Sequence, residues 1–290
     1  MSATDQVARV GVVGCGLMGS GIAEVSARAG LDVVVVEADE PTVGAGRARI
    51  EASLDQAVRR GKLTDDDRDA TLDRIRVTWE AHELADRQLV VEAVPEIEPL
   101  KIETFRTLDK VVTDPGAVLA SNTSSIPIMK LAMATRRPEA VVGMHFFNPV
   151  PVLDLVELVP SLLTAPAVEE AAASFASGTL AKHVIRSQDR AGFVVNDLLI
   201  PYLLSSIRML ESGFATAEDM DTGMVQGCAH PMGPLALADL IGLDTVMAVA
   251  DSMYEEFKEP LYAAPPLLSR MVDAGLLGRK TGRGFYDYSR

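Results

Sequence analysis

Apolar runs alternate with helically patterned stretches from the start of the chain. Val7 to Val13 is a short apolar run ending in Gly14-Cys15-Gly16-Leu17-Met18-Gly19, which reads as a strand feeding a glycine turn. Met18 to Ala29 suits a helix, Gly30 is placed as its stop, and the β-branched run Val33 to Val36 predicts a buried parallel strand. Together they predict a βαβ unit. From Pro41 to about Arg76 the chain is charged, with Val43, Ile50, Leu54, Ala57 and Val58 at helical spacing, and Asp65-Asp66-Asp67 opens a further helix after Gly61. This pattern predicts a protruding helical hairpin with a basic corner at Arg59, Arg60 and Lys62.

Apolar runs return at Leu89 to Val94, Ala117 to Ser121, Val141 to Phe147 and Leu155 to Val159, alternating with helical stretches at Leu100 to Val112 and Ile126 to Ala134. A helix near Ala167 to Leu180 and a strand at Lys182 to Ser187 follow. Beyond them the pattern is helical alone, over Asn196 to Glu211, Ala217 to Gln226, Leu243 to Glu256 and Leu267 to Ala274. The predicted fold is α/β, with a Rossmann-type domain over residues 1–188 built on a mostly parallel sheet, and an all-α C-terminal domain over 189–290.

A length of 290 residues agrees with two domains, and 48% hydrophobic with 23% charged residues supplies well-filled cores. The formal net charge of −14 argues against a nucleic-acid partner, because phosphate binding rests on basic surface. A polyanionic small molecule must then be met by local cations or helix N-termini, and the basic hairpin corner is one such place. The alternative for that corner is a solvated helix end. Met1 to Gln6 lacks the basic and hydrophobic regions of a signal peptide, and the longest apolar stretches, such as Leu198 to Leu204, fall short of the roughly 18 residues of a membrane span. The two cysteines, Cys15 and Cys228, are too few for a disulfide framework and lack metal-ligand spacing; both are expected to be small buried residues in a cytoplasmic protein without a metal.

The glycine turn gains meaning from its context. It follows a strand, opens a helix, and is followed by Glu37 at the end of the next strand, as in a dinucleotide fingerprint. Gly14 permits the turn, Gly16 admits the pyrophosphate to the backbone, and Gly19 lets helix and strand approach. Glu37 is placed to accept from an adenosine ribose and to repel a 2′-phosphate, so NAD is the expected cofactor.

Of four histidines, one stands where an apolar strand turns polar: Val141-Val142-Gly143-Met144-His145-Phe146-Phe147-Asn148-Pro149. A histidine there is either a satisfied core residue or a reagent. Glu157 favours the second reading, since it is one charge within Leu155-Val156-Glu157-Leu158-Val159 and burial without a partner would be costly. Paired with His145 it would orient the ring as an alcohol-oxidising base requires. Strand alternation puts Asp154 on the opposite face from Glu157. Ser121 to Ser125 and Gly192 to Asn196 offer small polar groups that either bind a hydroxyl or cap helices.

These residues resemble the L-3-hydroxyacyl-CoA dehydrogenase family, and within it the short bacterial 3-hydroxybutyryl-CoA enzymes. The resemblance covers nearly the whole chain: Gly14 to Gly19, Val91-Glu92-Ala93 with Glu96, Ser121 to Ser125, His145 to Pro151, Leu155 to Glu157, Gly192 to Asn196, His230 to Pro234 and Gly278 to Tyr286. It implies a catalytic His145–Glu157 pair, with Ser124 and Asn196 holding the substrate oxygen. It implies NAD contacts from the glycine loop with Leu17 and Met18, and from Glu37, Glu96, Lys101, Ser124, Asn148 and Lys280. It places Ser53 and Arg60 where the family binds the CoA of an acyl-CoA substrate, and makes the helical domain the interface of a homodimer.

Three positions depart from the family. Glu37 stands where many relatives have Asp, Asp154 where Lys is frequent, and Asp197 where Arg is common; the last two bear on acyl-chain preference and working pH. Two rival readings remain at this point: a dehydrogenase of a free hydroxy acid such as L-gulonate on the same fold, and a non-catalytic binding or structural protein of the crystallin kind.

Overall fold

The computed structural model of the chain describes residues 7–289, so the polar leader Met1 to Gln6 lies outside the described residues. The chain divides between Arg190 and Ala191 into two compact units.

The first unit is built on eight strands: β1 (Arg9–Val13), β2 (Asp32–Val36), β3 (Ile75–Thr78), β4 (Leu89–Glu92), β5 (Val118–Ser121), β6 (Val141–Phe146), β7 (Leu155–Pro160) and β8 (His183–Arg186). Their order across the sheet is β3-β2-β1-β4-β5-β6-β7-β8. Among these eight described strands, β6 and β7 pair antiparallel and every other neighbouring pair is parallel. The apolar runs are continuous rather than alternating because both faces are covered; Val33 to Val36 are all buried. Strand order reverses between β1 and β4, and the crevice beyond the carboxyl ends of strands at such a point is where open α/β sheets bind ligands.

Six helices belong to this unit: α1 (Leu17–Arg28), α2 (Glu40–Arg59), α3 (Asp65–Leu72), α4 (Glu98–Val111), α5 (Ile128–Ala132) and α6 (Pro166–Ser174), the last continuing as a π-helical turn over Phe175–Thr179. The hairpin α2–α3 starts both its helices with capping boxes, Asp39 with Thr42 and Thr64 with Asp67. Ile50 and Leu54 root it in the core. Strand β3 has no counterpart in the sequence reading, which ran the hairpin on to Arg76. Two apolar residues, Ile75 and Val77, are too short a pattern to reveal a period; pairing of Ile75 with Val33 on β2 decides the strand.

The second unit consists of α7 (Val195–Glu211), α8 (Ala217–Cys228), α9 (Pro234–Ile241), α10 (Leu243–Phe257) and α11 (Pro266–Asp273) around a core that includes Leu203, Leu204, Leu235, Val246 and Met253. Helix α9 was also not foreseen. Its N-terminus is capped by Asp221 from α8, whose carboxylate accepts from the Leu235 and Ala236 amides at 2.8 Å each, a cap that no local sequence pattern signals. Cys15 is buried as expected, but Cys228 is exposed, a correction that follows from its place as the last residue of α8 before left-handed Ala229. Among the described residues no helix is long and apolar enough to cross a membrane, and no cluster of His, Cys, Asp or Glu could hold a metal ion.

Candidate active site

The glycine turn has the geometry a diphosphate needs. Gly14 adopts φ +89°, open to glycine at little cost, and a Cβ on Gly19 would stand 1.9 Å from the Gly14 carbonyl oxygen, so helix and turn meet only without side chains. A Cβ on Gly16 would meet nothing within 4 Å, so the backbone there is bare on its outer side. Helix α1 begins at Leu17 with no side-chain cap and no acidic residue in its first turn, which leaves its amide end suited to an anion. Glu37 leaves β2 beside this turn, and its Oε1 accepts from the Cys15 amide at 3.1 Å. Arg49 of α2 donates to the Cys15 carbonyl from the other side. Burial, with Glu37 nearby, pushes the Cys15 thiol up to about 12, so it is a packed thiol rather than a nucleophile.

Past β4, the chain makes a second cluster. Glu96 Oε1 accepts from the Thr123 hydroxyl and from the Ser124 and Ser125 amides at 2.9 and 3.2 Å, and Ser124 Oγ lies 3.3 Å away. Burial works to raise this carboxyl, but the Lys101 ammonium, with the Thr123 hydroxyl and the Ser124 amide, holds it below its ordinary value. Lys101 itself is wholly buried, 2.7 Å from Glu92 Oε1 and 3.2 Å from Glu96 Oε2. Glu96 and Ser124 are therefore brought together, with Lys101 beneath them.

His145 and Glu157 face each other directly across β6 and β7. His145 Nδ1 and Glu157 Oε2 are 2.7 Å apart, with the carboxylate fully buried and the histidine 8% exposed. A carboxylate can only accept, so the ring carries its proton on Nδ1. Phe147 lies against the imidazole, ring centroids 4.5 Å apart. Asn122 accepts from the Phe146 amide at 2.9 Å and so ties the end of β6 to the β5 loop. Asn148, exposed, precedes a cis bond to Pro149.

Ser53 and Arg60 belong to the hairpin of the first unit. Ser53 donates to the buried Glu24 at 2.6 Å, and Arg60 is exposed at the end of α2. In the second unit Asn196 lies in the first turn of α7, and Lys280 donates to Asp244 at 2.6 Å. The loop carrying Lys280 is seated on Asp239, whose carboxylate accepts from the Phe285 and Tyr286 amides at 3.0 Å each. Both acidic departures have partners: Asp197 accepts from Tyr262 at 2.6 Å, and Asp154 lies 3.6 Å from Lys182. Lys182 was missed in the sequence. Its buried ammonium donates to the Val150 and Leu153 carbonyls at 2.8 and 2.7 Å, pinning the loop between β6 and β7. Backbone acceptors some thirty positions away leave no sequence signal.

Residues 9–190 match the family model for the 3-hydroxyacyl-CoA dehydrogenase NAD binding domain, and residues 192–288 that for the 3-hydroxyacyl-CoA dehydrogenase C-terminal domain. The chain belongs to the 3-hydroxyacyl-CoA dehydrogenase family. A 3-hydroxybutyryl-CoA dehydrogenase of Mycobacterium tuberculosis is 61% identical over 285 residues, 98% of this chain and 100% of the relative. Among solved structures, FadB2 of M. tuberculosis superposes with a TM-score of 0.97 at 61% identity, over 98% of this chain and 100% of that one. An (S)-3-hydroxybutyryl-CoA dehydrogenase from Ralstonia eutropha does so at 0.92 with 44% identity, over the same shares. The family drawn from the motifs is borne out, as are the Rossmann domain with its helical companion and NAD as the coenzyme of this dehydrogenase. The reading as a non-catalytic protein is set aside.

Proposed function

We propose that the chain oxidises the C3 hydroxyl of a short (3S)-3-hydroxyacyl-CoA, foremost 3-hydroxybutyryl-CoA, reversibly to the 3-ketoacyl-CoA. The observation that carries this reading is the buried His145–Glu157 pair near the end of β6, beside the strand that leads to Ser124 and in the same sheet as the strand that feeds the glycine turn. Relatives at 61% and 44% identity named for the 3-hydroxybutyryl thioester support the substrate.

NAD, when bound, supplies the acceptor for the C3 hydride. The glycine turn with Leu17 and Met18, then Glu37, Glu96, Ser124, Asn148 and Lys280, are the residues that would hold it, and Lys101 acts from beneath Glu96. His145 takes the hydroxyl proton at Nε2, since Nδ1 is committed to Glu157. The carboxylate fixes that tautomer and stabilises the charge the ring gains with the proton. Ser124 and Asn196 hold the substrate oxygen, while Ser53 and Arg60 meet the CoA moiety at the hairpin. The helical unit pairs with a second copy as a homodimer, and the protein works in the cytoplasm.

The test is NADH oxidation. Saturable turnover with acetoacetyl-CoA, and none with free 3-keto acids, is expected. Turnover of free acids alone would replace this substrate with a hydroxy acid of the L-gulonate kind.

A further inference from the structure

One ionisable side chain lies in the row of residues that closes the sheet beside the coenzyme site. Across the strands the row reads Val36, Val13, Glu92, Ser121, Gly143. Glu92 has no exposed surface, and a carboxylate sealed among apolar strands is costly unless its oxygens are bonded. They are. Oε1 accepts from Lys101 Nζ at 2.7 Å and from the Val94 amide at 2.8 Å, and Oε2 accepts from Ser121 Oγ at 2.6 Å.

Each of these three donors belongs to a different piece of the site. Ser121 ends β5 and leads straight into the Asn122–Ser125 loop. Val94 follows Ala93, whose carbonyl oxygen comes so near the glycine turn that a Cβ on Gly14 would stand 2.9 Å from it. Lys101 reaches back from α4 to Glu96, at 3.2 Å, and to the Val94 carbonyl, at 3.3 Å. Glu96 in turn gathers Thr123, Ser124 and Ser125. Glu92 is thus the node at which the β1–α1 turn, the β4–α4 loop and the β5–α5 loop are joined.

We propose that Glu92 is a positioning residue for NAD: it touches neither coenzyme nor substrate, but sets where Glu96 and Ser124 stand relative to the glycine turn. This rests on the reading of these strand ends as the coenzyme site. The ammonium of Lys101 is shared between two carboxylates, one sealed and one reaching the surface. With the charge of Glu92 removed, Lys101 has Glu96 as its remaining counter-ion and draws it inward. That pull takes Glu96 from the Ser124 and Ser125 amides it holds in place. Loss of the Val94 bond frees the segment against Gly14 as well. Coenzyme affinity therefore falls even in protein that remains folded, which distinguishes positioning from a contribution to stability alone.

The test is NADH affinity by fluorescence titration, with thermal unfolding of the same samples, for the parent and for Glu92→Gln, Glu92→Asp and Ser121→Ala. Glu92→Gln is expected to weaken NADH binding about tenfold, the scale of a lost charged hydrogen bond. Glu92→Asp, which keeps the charge on a shorter arm, should recover part of that loss, and Ser121→Ala should cost about threefold. In turnover the rise in KM for NAD should exceed the fall in kcat. Folded Glu92→Gln binding NADH within about twofold of the parent, whatever happens to the melting temperature, overturns the proposal. If Glu92→Gln does not fold, Ser121→Ala decides it by the same measure. A parent that fails to bind NADH would instead overturn the coenzyme reading beneath it.

Discussion

Two buried carboxylate pairs differ in what they leave exposed: Glu157 meets His145 across two strands of the sheet, whereas Glu92 on β4 meets Lys101 from α4. Glu157 with His145 and Glu92 with Lys101 have the same 2.7 Å contact. Lys101 and Glu92 are both sealed, and the ammonium spends its donors inward on Glu92, Glu96 and the Val94 carbonyl. His145 keeps a sliver of surface, and its bond to Glu157 engages one of its two ring nitrogens. A proton-transfer group needs both an anchor and a reactive atom; a buried lysine with every donor engaged offers the anchor only.

Substitutions test this division, and the largest effect is expected at His145, the proposed base. His145→Gln should lower kcat about 10²- to 10⁴-fold, the span of general-base catalysis, with NADH affinity within about twofold of the parent. Retained turnover in a steady-state assay would put the base elsewhere. Lys101→Met should act oppositely, on stability first. It strands Glu92 without its cation, and urea unfolding should register about 3–5 kcal/mol of destabilisation. An unchanged midpoint would mean that the pair supports nothing. Glu157→Gln keeps the shape but not the charge, and about a hundredfold loss of kcat is expected through tautomer and orientation. A pH–rate profile matching the parent's would separate Glu157 from the base.

The smallest effect concerns acid stability. Glu96 is held below its ordinary value of 4.5, so near that pH the folded state binds fewer protons than the unfolded one. Its contribution is present above that value and is lost as the pH falls through the lower folded value. Glu96→Gln should therefore lose less stability than the parent between about pH 6 and pH 3 in acid unfolding curves. Equal curves would show that the Lys101 cluster does not select the ionised form.

The glycine turn was legible because its pattern is local. Gly14, Gly16 and Gly19 stand at fixed spacing in one turn, where Gly14 takes a positive φ and Gly19 packs on the Gly14 carbonyl, and Glu37 follows at the end of the next strand. His145 and Glu157 were legible for another reason: each is a polar residue in an apolar run, and adjacent strands made a pair plausible. Strand β3 and helix α9 were not legible, since β2 defines the first and Asp221 caps the second. Lys182 escaped notice because it bonds to carbonyls, which every residue possesses.

By itself, then, the order of residues determined the βαβ start and the pairing of His145 with Glu157, written in spacing along one element or between two neighbouring strands, while the family and its coenzyme followed from motifs spread along the whole chain. Tertiary structure alone decided that Glu92, Lys101 and Glu96 share one charge cluster, and that Asp154 and Asp197 find partners in Lys182 and Tyr262. The physical reason is that the cost of burying a charge depends on what surrounds it in three dimensions, and those surroundings come from segments far apart in the chain.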